Sequence, residues 1–144
     1  MIIRAMEEKD LEQVCQIEQD NFSMPWSRQS FLDSIRHPKH LYLVAEHEGR
    51  ILGYCGMWIV LEEGQINNVA VDRAYRRQGV ASAMFEVFLK QGYEMGARRF
   101  TLEVRESNQG AIALYERFSF QNVGIRKNFY EKPVEHAVIM WKET

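Results

Sequence analysis

Three features of this 144-residue chain predict a single α/β (α+β) domain. Its sheet is mixed and largely antiparallel, has helices on both faces, and splays at one point into a groove. First, stretches of alternating hydrophobicity and stretches of helical period follow one another in the order βααβββαβαββ. Second, Gln65 to Ser82, read as QINNVAVDRAYRRQGVAS, passes from an apolar strand through a basic turn into a long helical pattern. Third, Asn67 and Asn68 are poor strand formers in the middle of that strand, which marks a bulge or a splayed edge.

Ile2 to Met6 is short and apolar enough for a first strand. From Glu8 to Phe22, Leu11, Val14, Cys15, Ile17 and Phe22 recur near helical spacing, so an amphipathic helix follows. Pro25 sets a turn, Ser27 caps a second helix with Phe31, Leu32 and Ile35 on its inner face, and His37-Pro38 ends it. Leu41 to Glu46 and Ile51 to Leu61 form a hairpin about Glu48-Gly49-Arg50. After the strand from Gln65 to Val71, the helix opened by Gly79 buries Val80, Met84, Phe88 and Leu89, and Gly96 ends it. Phe100 to Arg105 is a strand, a shorter helix runs to Phe118, and the strands Phe120 to Arg126 and Ala137 to Lys142 flank a loop from Lys127 to His136.

A hydrophobic fraction of 46% and a charged fraction of 26% belong to an ordinary globular protein, here a single domain over residues 1–144. The formal net charge of -2 leaves no overall basic footprint, so nucleic-acid binding is not expected. The start MIIRAMEEKDLE reaches acidic residues too soon for a signal peptide, and no apolar run is long enough to span a bilayer, so the expected location is cytoplasmic with no membrane partner. Cys15 and Cys55 lie in apolar patterns and read as free buried thiols. His37, His40, His47 and His136 lack metal-ligand spacing and read as surface residues, so no metal is expected.

The candidate chemistry begins at the basic turn. The first N–H groups of a helix have no intrahelical partner and the helix dipole adds positive charge there, so a strand, a turn with Arg73, Arg76 and Arg77, and a helix opened by Gly79 suit a pyrophosphate. On the strand from Phe100, Glu103 points away from the face carrying Leu102 and Val104. It reads either as a cross-strand ion-pair partner or as a general base beside the groove. Tyr115 on the next helix is either a core aromatic or an acid, and Asn108 is that helix's N-cap or a ligand contact.

Arg76-x-x-Gly79-x-Ala81 resembles the Q/R-x-x-G-x-G/A signature with which GNAT-family N-acetyltransferases hold the pyrophosphate of acetyl-CoA. The element order is also the one GNAT proteins have. Asn68-Val69-Ala70-Val71-Asp72, Leu102 to Asn108, and Ala113-Leu114-Tyr115-Glu116 resemble blocks of RimI-type ribosomal-protein-alanine N-acetyltransferases. So do Met24-Pro25-Trp26-Ser27 and Arg126-Lys127-Asn128-Phe129-Tyr130. The resemblance implies that Val69, Ala70 and Val71 pair with the pantetheine arm and polarise the thioester. It implies that Arg77, Gln78, Gly79, Val80, Ala81 and Ser82 hold the pyrophosphate, and that Asn108 contacts CoA. Glu103 would be the general base, Tyr115 the general acid, and Trp26, Phe129 and Tyr130 the peptide-side wall. The chain departs from that pattern at Ala81, at Ser119 in Phe118-Ser119-Phe120, and at Phe129, which lacks the hydroxyl of the usual tyrosine.

The implied activity is transfer of acetyl from acetyl-CoA to a protein N-terminal α-amine, with a ribosomal protein beginning with alanine as partner. The enzyme is expected as a monomer or weak dimer. Two alternatives are a GNAT enzyme of small amines or lysine side chains, and an acyl-CoA-binding module without catalysis. An α-amine with a pKa of about 7.7–8.0 costs under about 1 kcal/mol to deprotonate near pH 7.5, against about 4 kcal/mol for lysine, so one glutamate acting through water suffices for the former. A tyrosine of pKa about 10 protonates a thiolate of pKa about 8.5 at a cost of roughly 2 kcal/mol.

Overall fold

The computed structural model describes residues 1–144. Seven strands form one sheet in the order β1-β2-β3-β4-β5-β7-β6: β1 Ile2–Ala5, β2 His40–His47, β3 Arg50–Val60, β4 Glu63–Val71, β5 Arg99–Arg105, β6 Gln121–Tyr130 and β7 Glu135–Glu143. The helices are α1 Leu11–Asn21, α2 Arg28–Arg36, α3 Val80–Glu94 and α4 Gln109–Arg117, with short 3-10 turns at Glu8–Asp10 and Arg73–Tyr75. Only β4 and β5 pair in parallel; every other pairing is antiparallel.

Local chemistry accounts for most boundaries. Ser27 accepts from Ser30 N–H at 3.1 Å and starts α2, and Asn108 accepts from Ala111 N–H at 3.2 Å and starts α4. Glu48 and Gly49 both take positive φ, which suits the twist of the β2–β3 hairpin. Helices α1 and α2 bury Leu11, Val14, Ile17 and Phe31 against β2 and β3. On the opposite face α3 and α4 bury Met84, Phe85, Phe88 and Leu114 with Phe100, Leu102 and Val104 of β5. No helix is long and apolar enough to cross a membrane.

Four expectations need correction. Phe22 lies outside α1 and is exposed, because the helix stops at Asn21 and the chain turns away from the core. β6 runs on to Tyr130, so Lys127 to Tyr130 belongs to an edge strand. The register slips between Arg126 and Tyr130, and Asn128 takes positive φ. His40 is no free surface residue: its ring stacks on His37 and Trp58, and its Nδ1 is buried. Cys55 is fully buried, whereas Cys15 is only half-buried.

Candidate active site

β4 and β5 pair only where Glu63, Gly64 and Gln65 face Arg99, Phe100 and Thr101; beyond that they part. The separation coincides with the asparagine pair. Gly56 faces Asn68 and Met57 faces Ile66, so Asn67 is the extra residue of a bulge. Two strands that diverge leave the polar edge of β4 from Asn68 to Val71 without sheet partners on the β5 side. Between them lies a cavity of about 980 Å³, at the top of the range for ligand sites of roughly 300–1,000 Å³.

The bulge is held from behind. Tyr42 OH donates to Asn68 Oδ1 at 3.0 Å and accepts from Trp58 Nε1 at 3.2 Å, and burial pushes its pKa up to about 12, so it stays a neutral donor. The Tyr42 ring lies across Gly56, where any Cβ would overlap it. A glycine opposite the bulge is what lets this tyrosine reach Asn68.

At one end of the cavity stands the N-terminus of α3. Gly79 precedes it with φ +81° and no side chain caps it, unlike α2 and α4, so the first N–H groups of Val80, Ala81 and Ser82 have no intrahelical partners. A Cβ on Gly79 would meet nothing within 4 Å, so the backbone conformation and not crowding calls for glycine. The three arginines of the turn divide their work. Arg73 donates to Asp20 O at 3.0 Å and Arg76 bonds Asn21 Oδ1, bracing the end of α1, while Arg76 also lines the cavity. Arg77 makes no bond within the protein and lines the cavity as a free cation. Gln78 is turned away, its amide donating to Ala74 O at 3.4 Å, and it is absent from the cavity wall. Arg117, at the end of α4, also lines the cavity.

Glu103 and Tyr115 both line the same cavity. Glu103 lines the groove and also has an ion-pair partner, with Arg126 Nη1 3.8 Å from its Oε1. Tyr115 likewise has two faces. Its ring packs against Phe85 and Phe120 at centroid separations of 5.5 and 6.0 Å, while its hydroxyl makes no hydrogen bond within the protein. Burial, with lesser contributions from Tyr130 and Cys55, raises the Tyr115 phenol well above the usual tyrosine range. A phenol raised in this way is a more reluctant acid than an unshifted tyrosine. A thiolate formed in the same apolar space is disfavoured by the same burial, so the mismatch between the two does not grow by the full shift. Asn108, already engaged as the α4 cap, lines the cavity as well.

Trp26, Phe129 and Tyr130 add an aromatic part to the cavity wall. Trp26 packs at 6.1 Å from Trp58 and 5.4 Å from Phe31, and Phe129 meets Tyr130 edge-on at 5.0 Å. Arg105 pins the Tyr130 end of it: it donates to Glu131 O at 3.0 Å and Pro133 O at 3.1 Å, pairs with Glu135 at 3.1 Å, and lies 4.4 Å over the Tyr130 ring. Sequence reading missed Glu18, Arg105 and Arg117 as parts of the site, together with the exposed apolar pair Phe22 and Met24 at its rim. Glu18 carried a signal, since a carboxylate one residue after Ile17 on the buried stripe of α1 needs a partner inside. The others face the cavity only because elements distant in sequence converge there.

The model of the acetyltransferase (GNAT) family matches residues 11–120. A Bacillus subtilis protein provisionally named ribosomal protein bS18-alanine N-acetyltransferase is 41% identical over 140 residues, covering 96% of this chain and 93% of that one. The Escherichia coli enzyme named ribosomal protein bS18-alanine N-acetyltransferase is 34% identical over 140 residues, covering 96% and 94%. The crystal structure of the E. coli ribosomal-protein-S18-alanine N-acetyltransferase superposes with a TM-score of 0.90 at 33% identity, covering 99% and 92% of the two chains. Arabidopsis thaliana NAA60 in complex with acetyl-CoA shares the fold, with a TM-score of 0.89 at 21% identity, covering 99% and 97%.

Proposed function

The chain belongs to the GNAT family of acetyltransferases, and from that premise we propose that it transfers acetyl from acetyl-CoA to the N-terminal α-amine of a protein, with the N-terminal alanine of ribosomal protein bS18 as substrate. The observation that carries this reading is one continuous cavity. Its lining includes the uncapped start of α3, Glu103 and Tyr115, and the aromatic residues Trp26, Phe129 and Tyr130. Identity of 41% and 34% to relatives so named, over nearly the whole chain, supports the choice of substrate.

GNAT enzymes take acetyl-CoA as donor, and the residues present fit it. The N–H groups of Val80, Ala81 and Ser82, with Arg77, would hold a pyrophosphate; the Gln78 backbone remains in that loop, although its side chain is turned away. The free edge of β4 at Val69, Ala70 and Val71 offers main-chain donors and acceptors to an extended amide-bearing arm, and one of its N–H groups would face the oxygen on which charge develops. Asn108 would add a contact beside Tyr115.

Glu103 would accept the amine proton through water. The Arg126 guanidinium lies beside it, 3.8 Å from its Oε1. Tyr115, neutral through burial, would donate its proton to the departing sulfur. No residue is placed by motif or geometry to carry an acyl group, since Cys55 is fully buried in the core and Cys15 is absent from the cavity wall. Direct transfer between two bound substrates follows.

The deciding experiment is steady-state acetylation of a peptide beginning Ala-Arg against the same peptide with its N-terminus blocked and an internal lysine. Turnover on the free N-terminus alone is expected. Turnover on the blocked peptide would overturn the α-amine reading in favour of lysine or small amines.

A further inference from the structure

Glu18 is an ionisable side chain buried to 2% exposure at the end of α1, and the chemistry derived above has no task for it. Its Oε2 accepts from the backbone N–H of Trp26 at 2.8 Å, and its Oε1 accepts from Tyr54 OH. Tyr54 is fully buried on β3, its ring edge-on to Phe31 at 5.7 Å. The bond to Trp26 spans eight residues and crosses the whole of the Phe22–Pro25 turn. The turn's other hydrogen bond, Phe22 N–H to Glu18 O at 3.0 Å, lies at its α1 end, and Phe22, Ser23, Met24 and Pro25 are all exposed.

The arrangement is costly, which argues that it does something. Burial drives the Glu18 carboxyl up from its ordinary range against the two hydrogen bonds that hold it down. An apolar residue on the same stripe of α1 would bury without that cost. What the carboxylate supplies and an apolar residue would not is an acceptor aimed at one main-chain N–H, at the residue that carries the Trp26 indole. With that N–H fixed, Trp26 is set between Phe31, Tyr42 and Trp58 and presents its remaining surface to the cavity.

We propose that Glu18 is the positioning residue of the peptide-side wall, anchoring the α1–α2 turn through the Trp26 N–H so that Trp26 meets the substrate chain. This rests on the peptide reading above and deepens it. The carboxylate acts as a fixed acceptor and exchanges no proton with the substrate. A glutamine, whose carbonyl oxygen can accept from the same N–H while its amide donates to the Tyr54 oxygen, should replace it. An alanine should not.

The test compares Glu18→Gln, Glu18→Ala and Tyr54→Phe with the wild type in two measurements. The first, independent of activity, is amide hydrogen exchange at Trp26. Protection is expected in the wild type and Glu18→Gln, and loss of it in Glu18→Ala. The second is steady-state kinetics with acetyl-CoA and an Ala-Arg peptide. Glu18→Ala should raise the peptide KM roughly tenfold, with the acetyl-CoA KM and kcat within about twofold, as expected for a lost hydrogen bond to a charged acceptor that serves only one substrate. Glu18→Gln should stay near the wild type in all three parameters. If Glu18→Ala does not fold, Tyr54→Phe carries the same expectation at smaller size, a few-fold rise in peptide KM alone. The proposal is overturned if Trp26 exchanges as fast in the wild type as in Glu18→Ala. It is equally overturned if Glu18→Gln loses kcat as Glu18→Ala does, which would make the carboxylate catalytic, or if both substrates' KM values and kcat shift together. Absence of wild-type turnover on the peptide with Trp26 exchange behaving as described would refute the peptide reading and leave the anchor standing.

Discussion

Replacing Tyr115 by phenylalanine separates chemistry from stability unusually cleanly, because the two halves of the side chain have different surroundings. The ring is core, packed on Phe85 and Phe120, and phenylalanine keeps all of it. The hydroxyl has no partner within the protein and faces the cavity, so its removal leaves no buried group unsatisfied. Stability should change by no more than about 0.5 kcal/mol, a shift in Tm of about 2 °C or less. The rate should not be spared. A positioned proton donor contributes roughly 10²–10⁴-fold, or about 3–5 kcal/mol of barrier, and phenylalanine supplies none. The assay is kcat at saturating acetyl-CoA and peptide, with single-turnover acetylation alongside so that slow product release cannot mask a loss in the chemical step. Acetyl-CoA affinity should stay within a few-fold. A single-turnover rate within about threefold of the wild type would refute Tyr115 as the acid. A fall in Tm of more than about 5 °C would show that the hydroxyl had a structural task after all.

Four further outcomes are expected. Glu103→Gln should lower kcat/KM most below about pH 8 and recover partly at higher pH, where the α-amine (pKa about 7.7–8.0) loses its proton unaided; a pH-independent loss would contradict the base. Arg77→Ala should raise the acetyl-CoA KM roughly tenfold and leave the peptide KM unchanged, since Arg77 is the arginine of its turn with no protein partner; equal shifts in both would contradict a phosphate role. Gly56→Ala should destabilise by about 1–3 kcal/mol in urea and lower kcat as well, because the new Cβ evicts the Tyr42 ring that holds the Asn68 bulge; unaltered stability would show that the ring has somewhere to go. Asp10 is nearly buried, and its two bonds from Arg4 at 2.8 Å, with the Glu7 N–H, outweigh burial and hold its carboxyl below the usual range. A depressed folded-state value contributes stability above the unfolded pKa of about 3.9 and loses it as the pH falls through the folded value. Asp10→Asn should therefore cost about 2 kcal/mol in urea at pH 7, with the gap to the wild type closing in acid; a constant gap down to pH 2 would contradict the linkage.

The amino-acid sequence determined the elements and the ends of most of them, because those are set by groups a few residues apart. Ser27 and Asn108 cap the helices they precede, Gly49 and Gly96 take the positive φ their turns need, and the apolar periods of α3 and β5 name the faces they bury. It also marked the site, since Asn67 and Asn68 are poor strand residues for the same reason that they bulge. Only the tertiary structure decided what surrounds each candidate residue. Glu103 faces the groove and also an arginine brought next to it by β6. Tyr115 is core by its ring and cavity by its hydroxyl. Asn108 is both a cap and a cavity residue. That Arg73 and Arg76 brace α1 while Arg77 stays unpartnered depends on where the end of α1 comes to rest. The anchoring of Trp26 by Glu18, and of the Tyr130 wall by Arg105, depends on contacts that close only when the sheet assembles. Periodicity records which side of an element is buried. What it is buried against, and which polar atoms find one another there, is set by packing between elements far apart in the chain.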